Sequence, residues 1–257
     1  MVVRSIQPKG TAYDLEPLLT VLHRSRDPLE KALWGRFQKV KRYTLTLSEM
    51  GTCHNLLLCL LQPEKELGKP LSQLQSSLVH GLVTGFLCSY ARAVQEQSRS
   101  RVGKNLKLEP EDLAIKNKLI KLRNKVFAHL DADLPEDLQG YHNEKFVMLH
   151  QGFGYAQIRF LISTKFFGEQ YLLSVYDHVW RVIRILQTQY EILIVETSEQ
   201  LKDLTINKPE IGNLIEAEMF DAQSFFKSDL GTQSFLSGEE LKHADALSLV
   251  NVVPEEN

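Results

Sequence analysis

Apolar residues at helical spacing dominate this chain of 257 residues. They recur every three or four positions, which places them on one face of an α-helix and predicts a core built from helices. The segments concerned are long, and they cover residues 28–61, 71–97, 110–131 and 168–199. The Gly51-Thr52 pair is an expected break within the first segment. The predicted fold class is mainly α, an up-and-down helical bundle.

Each predicted helix has a face that we expect to be buried. In the third helix, which starts at Pro110, this face consists of Leu113, Leu119, Leu122, Val126 and Leu130. In the fourth helix it consists of Leu172, Leu173, Tyr176, Val179, Trp180, Ile183 and Leu186. His80 and Tyr90 lie on the apolar side of the second helix, and we expect both to be core residues.

A different pattern occupies residues 145–162, where two apolar, aromatic-rich runs flank Gly152-Phe153-Gly154. This arrangement predicts a β-hairpin inserted between helices. Residues 1–199 then form one helical domain, and residues 200–257 form an acidic extension that we expect to be partly helical or disordered. The extension holds 4 lysines and 11 acidic residues, a net charge of −7, whereas residues 1–199 carry +5.

Composition excludes several classes of protein. A hydrophobic fraction of 43% and a charged fraction of 24% are typical of a folded domain and not of a disordered chain. The longest apolar run, Leu56–Leu61, is far shorter than the roughly 20 residues that span a bilayer. The first ten residues lack the apolar stretch of a secretory signal. The 3 cysteines have no CxxC spacing, so neither a disulfide framework nor a zinc site is indicated. We expect a cytoplasmic protein without a membrane partner, a metal or a cofactor.

Basic residues are concentrated between Arg92 and Lys125, a segment with 10 lysines and arginines and 4 acidic residues. A strip of this kind is what a phosphate-bearing ligand needs. The predicted RNA contacts within it are Lys116, Lys121, Lys125 and Arg92. The strip also fits an ordinary solvated helix face, and Arg92 also fits a role in capping the end of its helix.

The same strip contains LRNKVFAHLD, residues 122–131. This sequence resembles the R-polar-x(3 to 5)-H signature of the HEPN superfamily. Upstream, GLVTGFLCSYARA (81–93) resembles the central helix of the abortive-infection branch of that superfamily. The resemblance covers roughly residues 15–198 and implies a HEPN-like bundle. It further implies a metal-independent endoribonuclease of the toxin–antitoxin or phage-defence type. The implied partners are RNA, a second copy of the chain, and an antitoxin or regulatory protein.

The residues of this motif suit RNA cleavage. RNA supplies its own nucleophile, the 2′-hydroxyl beside the scissile phosphate, so the protein must supply a base, an acid and charge for the phosphorane. Histidine has a pKa of about 6.5 in water, which suits His129 to proton transfer. Arg123 offers a planar fork for phosphate oxygens, and Asn124 would orient the hydroxyl or the histidine. None of these roles requires a metal.

Helix geometry separates the motif residues within one chain. Arg123 and His129 are six positions apart, about 120° around a regular helix and about 9 Å along it. In the HEPN pattern two motif helices meet across a twofold axis, so we expect a homodimer through this helix. The alternative is that Arg123 pairs with a carboxylate, such as Asp131 of a partner helix, and that His129 is an ordinary helix-end histidine. The chain would then be a non-catalytic bundle that binds nucleic acid or a protein partner.

Overall fold

The computed structural model describes residues 12–61, 73–95, 106–124, 142–150, 156–164 and 168–227, together with residues 102, 232, 233 and 235. Its elements in chain order are α1 (Glu16–Arg24), α2 (Pro28–Leu61), α3 (Gln73–Val94), α4 (Pro110–Leu122), β1 (His142–His150), β2 (Ala156–Thr164), α5 (Glu169–Asn207), α6 (Pro209–Glu216) and α7 (Ala222–Phe226). The predicted fold class is confirmed at this level, because the described chain is mainly α-helical. Within these ranges, none of the helices combines the length and the apolar character that crossing a bilayer demands.

The helix α2 runs without interruption from Pro28 to Leu61. The expected break at Gly51-Thr52 is therefore wrong. Met50, Cys53 and Leu57, on either side of this pair, are fully buried. Their packing offsets the cost of glycine inside a helix, which is about 1 kcal/mol relative to alanine.

The chain divides into two compact units, and α2 and α5 contribute to both. The first unit comprises residues 1–48 and 186–257, and the second comprises residues 49–185. The predicted domain boundary after residue 199 falls inside α5, which continues to Asn207. This continuation follows from packing, because Leu204 is buried in the core of the first unit.

Four helices supply the core of the first unit, whose buried members are Leu18, Leu22, Leu33, Leu204 and Ile211. Trp34 and Phe37 pack against this core while remaining partly exposed. The helices α1 and α6 are in contact, and Tyr13 forms an antiparallel bridge with Met219. The beginning of the predicted acidic extension is therefore folded onto the N-terminal helix.

The second unit contains α3, α4, β1 and β2, together with the adjoining parts of α2 and α5. Its buried apolar residues come from all four helices and include Leu57, Phe86, Tyr90, Leu119 and Val179. The strands β1 and β2 pair in antiparallel fashion, from His142 opposite Thr164 to His150 opposite Ala156. The predicted glycine-rich tip, residues 152–154, lies outside the described residues.

Candidate functional site

The helix α4 turns a polar face toward the protein interior. Its buried residues are Asp112, Lys116, Leu119 and Leu122. Leu113 was expected on this face, but it is 45% exposed, so that part of the prediction is wrong. Leu119 and Leu122 are buried as predicted, and in the first turn Asp112 takes the buried position in place of Leu113. Polar groups occupy it because Asp112 finds hydrogen-bonding partners on α5. Val126 and Leu130, the remaining predicted members, lie outside the described residues.

Asp112 belongs to a buried chain of hydrogen bonds that we call the Tyr90–His178–Asp112–Arg181 relay. Tyr90 Oη lies 2.6 Å from His178 Nε2, and His178 Nδ1 lies 2.8 Å from Asp112 Oδ1. Arg181 binds the same carboxylate with both arms of its fork, Nε to Oδ2 at 2.9 Å and Nη2 to Oδ1 at 2.7 Å. The relay thereby joins α3, α4 and α5 of the second unit.

The protonation state of each relay residue follows from its burial and its hydrogen-bond partners. Hydrogen bonds from Arg181 hold the pKa of the Asp112 carboxyl below its usual range. Burial lowers the pKa of His178, although Asp112 partly offsets this effect. The imidazole is therefore neutral at pH 7, with Nδ1–H donating to Asp112 and Nε2 accepting. Burial also raises the pKa of Tyr90, so its hydroxyl keeps the proton that it donates to Nε2.

The relay has the connectivity of a nucleophile–histidine–aspartate triad, but its burial excludes a substrate. Tyr90 and His178 have no exposed surface, and Asp112 is only 4% exposed. A substrate therefore has no contact with the hydroxyl or with the ring. Because each hydrogen bond joins a different pair of atoms at good distance, the relay fixes how α4 lies against α3 and α5. Among the described residues no group of three or more histidine, cysteine or acidic side chains is suited to a metal ion.

Two of the predicted catalytic residues, Arg123 and Asn124, directly follow α4. Arg123 retains helical backbone angles, φ −55° and ψ −47°. It lies 11 positions after Asp112, roughly 16 Å along the helix axis. Arg123 Nη1 donates to Asn124 Oδ1 at 3.0 Å, and both side chains are partly buried. His129, the third predicted catalytic residue, lies outside the described residues.

The Arg123 guanidinium has an unused donor. Its Nε is buried and has no hydrogen-bond partner within the described part of the chain. Within the same part it forms no ion pair with a carboxylate. A buried guanidinium N–H without an acceptor is uncommon, since leaving a charged donor unsatisfied is costly. The group is therefore suited to an acceptor that comes from outside these residues.

Two of the four predicted RNA contacts are already engaged within the protein. Lys116 is 8% exposed and faces the relay, where its charge contributes to lowering the pKa of His178. Arg92 is exposed, but both arms of its fork bind Glu49, at 2.8 and 2.9 Å. This ion pair with α2 replaces the expected helix cap. Lys121 is partly buried, and Lys125 lies outside the described residues.

Sequence reasoning missed the relay because its partners come from three helices. The sequence of α5 did indicate a buried histidine, because His178 lies among the apolar residues Val175, Val179 and Val182, all of which are buried. The predicted stripe instead included Leu173 and Trp180, which are 46% and 41% exposed. His80 was expected in the core, but it is exposed, and that expectation is wrong. The expectation for Tyr90 is confirmed.

Comparison with known proteins adds no relative. No family model, curated protein or solved structure matches this chain. The resemblance to the HEPN superfamily therefore depends on the motif residues themselves.

Proposed function

We propose that this chain is a HEPN-like, metal-independent endoribonuclease. In this proposal Arg123 binds the scissile phosphate, Asn124 orients the reacting groups, and His129 transfers protons. The fold is a HEPN-like up-and-down helical bundle with β1 and β2 as an insertion. The protein acts in the cytoplasm, in a toxin–antitoxin or phage-defence role, with an antitoxin or regulatory protein as a further partner.

One observation carries the proposal. Arg123 is only partly buried, and in the described part of the chain its guanidinium forms no ion pair and its Nε has no hydrogen-bond partner. An arginine already paired with a carboxylate would bind phosphate weakly, because its charge would be neutralised. Among the described residues Arg123 instead contacts the neutral amide of Asn124. That contact occupies one arm of the fork without neutralising the charge, which in this proposal a phosphate oxygen receives.

The proposed reaction uses no group beyond RNA and these side chains. A base removes the proton of the 2′-hydroxyl, and the 2′-oxygen forms a bond to phosphorus. The bond from phosphorus to the 5′-oxygen breaks, and an acid gives that oxygen a proton. The products are a 2′,3′-cyclic phosphate and a 5′-hydroxyl. Arg123 stabilises the extra negative charge of the phosphorane.

A second copy of the chain supplies the remaining groups in this proposal. On a regular helix Arg123 and His129 would be too far apart to act together, so in this proposal the motif helices of two chains meet and combine their residues. Lys121 and Lys125 are the proposed additional RNA contacts. Lys116 and Arg92 are not, since one is buried and the other is bound to Glu49.

The test is cleavage of an unstructured RNA by purified protein in EDTA. We expect cleavage by the parent chain and a loss of at least 100-fold in both His129→Ala and Arg123→Ala. Arg123→Lys should also lose most activity, because lysine keeps the charge but lacks the planar fork. His80→Ala is the matched control, an exposed histidine of α3. Cleavage that persists unchanged in His129→Ala, or that requires a divalent metal, would contradict the proposal.

A non-catalytic bundle that binds nucleic acid or a protein partner is the second candidate. The observation that favours its protein-partner form is the engagement of Lys116 and Arg92, which removes two cations from the predicted phosphate surface. In its nucleic-acid form the bundle binds RNA through the remaining cations. It predicts RNA binding without cleavage, unaffected by His129→Ala. Absence of RNA binding even at low salt would leave a protein partner as the ligand.

A further inference from the structure

A groove lies between α1 and the first half of α2, inside the first unit. We call it the α1–α2 groove, and its volume is about 530 Å³. This is within the range of small-ligand sites, roughly 300–1,000 Å³. Trp34 and Phe37 are three positions apart and therefore share one face of α2. This face lines the groove together with His23 of α1.

Aromatic rings form one part of the lining. Trp34 and Phe37 pack on the core of the unit and remain partly exposed toward the groove. The ring of His23 lies 4.9 Å from that of Trp34, tilted by 52°. Flat rings held from behind by a core offer a surface on which a nucleobase stacks, with about 1–3 kcal/mol per base.

Charged and hydrogen-bonding groups form the other part. Arg24 of α1 and Lys41 of α2 both line the groove, and so does the amide of Gln38. Two cations suit phosphate oxygens, and an amide donates to and accepts from the edge of a base. Glu16 is the single acidic lining residue, so the charges in the groove sum to +1.

These two cations have no carboxylate partner among the described residues, unlike the cations that the ion pairs of this chain engage. Arg36 pairs with Glu196, Arg92 with Glu49, Arg181 with Asp112, and Lys208 with both Asp27 and Glu30. Within the described residues, Arg24 and Lys41 form no ion pair and no side-chain hydrogen bond. Their positive charge is therefore left for a ligand.

We propose that the α1–α2 groove binds a nucleotide, with the base on Trp34 and the phosphate on a cation of the lining, Arg24 or Lys41. The nucleotide is either a free mononucleotide or an unpaired residue of an RNA strand, since both present an aromatic base next to a phosphate. The inference does not depend on the nuclease proposal, because the groove belongs to residues 1–48 and Arg123 to the other unit.

The test uses Trp34 fluorescence in a Trp180→Phe background, where Trp34 is the sole tryptophan. The probes are 5′-AMP, adenosine, and a 12-residue 2′-O-methyl oligoadenylate, which lacks the nucleophile for cleavage. We expect saturable quenching by 5′-AMP or by the oligonucleotide, and binding of adenosine at least tenfold weaker than that of 5′-AMP. Binding of the oligonucleotide far more tightly than 5′-AMP assigns the groove to RNA. Equal binding assigns it to the free nucleotide.

Variants of exposed cations complete the test. Arg24→Gln with Lys41→Gln should weaken binding at least tenfold. Arg26→Gln with Lys31→Gln, two exposed cations outside the groove lining, should change it less than twofold. No saturable quenching, equal binding of adenosine and 5′-AMP, or equal weakening in both double variants would overturn the inference. Arg123→Ala should leave quenching unchanged, so loss of cleavage and loss of binding are separate results.

Discussion

Replacing Tyr90 by phenylalanine tests the relay most simply. The ring stays in place, and only the hydroxyl that lies 2.6 Å from His178 Nε2 is lost. Both residues have no exposed surface, so water does not replace the missing donor. A net hydrogen bond contributes about 1 kcal/mol, and leaving a buried acceptor unsatisfied costs about 1–3 kcal/mol. We expect Tyr90→Phe to lower the free energy of unfolding by about 1.5–3 kcal/mol.

The control is Tyr176→Phe, which removes the same group from a partly exposed tyrosine of α5. Its hydroxyl lies 3.2 Å from His54 Nε2, where water is able to take its place. This loss should stay below about 1 kcal/mol. The assay is urea denaturation followed by Trp180 fluorescence in a Trp34→Phe background, so that the second unit is observed alone. For a chain of this size Tyr90→Phe should also lower Tm by roughly 3–12 °C. An equal loss in both variants would refute the relay.

Three further predictions concern stability and reactivity. Acid should destabilise the second unit, because the pKa values of His178 and Asp112 are both lowered in the folded state, so the unfolded chain binds more protons. The loss should begin below pH about 6.5 and increase again below about 4, measured by urea denaturation at a series of pH values. Gly51→Ala should raise the free energy of unfolding by about 0.5–1 kcal/mol, since no atom lies within 4 Å of the added Cβ. A decrease in the same denaturation assay would show that α2 is broken there. Ellman's reagent should label exposed Cys59 rapidly and Cys53 only after unfolding, because burial excludes the reagent and raises the pKa of the Cys53 thiol. Rapid loss of two thiols in Cys59→Ser would contradict this.

The sequence was informative about helices and less so about their faces. Apolar spacing predicted the bounds of α2 correctly, because a long run of apolar residues at intervals of three and four has one regular interpretation. It misplaced the first turn of the buried face of α4, since apolar Leu113 was taken as buried and charged Asp112 was not included. A carboxylate enters a core only when partners neutralise it, and those partners, His178 and Arg181, are more than 60 residues away in sequence.

In the candidate site, too, local sequence identified single residues but not their partners from distant parts of the chain. The resemblance to the HEPN signature selected Arg123 and Asn124, which are neighbours and are hydrogen-bonded to one another. The sequence did not distinguish unpaired cations from cations that folding pairs with a carboxylate. Arg92 belongs to the paired class because Glu49, on α2, is brought to it by folding. Arg24 and Lys41 line one groove only because folding brings α1 against α2.

The chemistry of the RNA ends is the most direct test of the proposed nuclease. An unstructured RNA is incubated with the parent protein in EDTA, and the fragments are analysed by mass spectrometry. Attack by the 2′-hydroxyl predicts fragments ending in a 2′,3′-cyclic phosphate and beginning with a 5′-hydroxyl, and none with Arg123→Ala. Intact RNA, or fragments with 3′-hydroxyl and 5′-phosphate ends, would contradict the account.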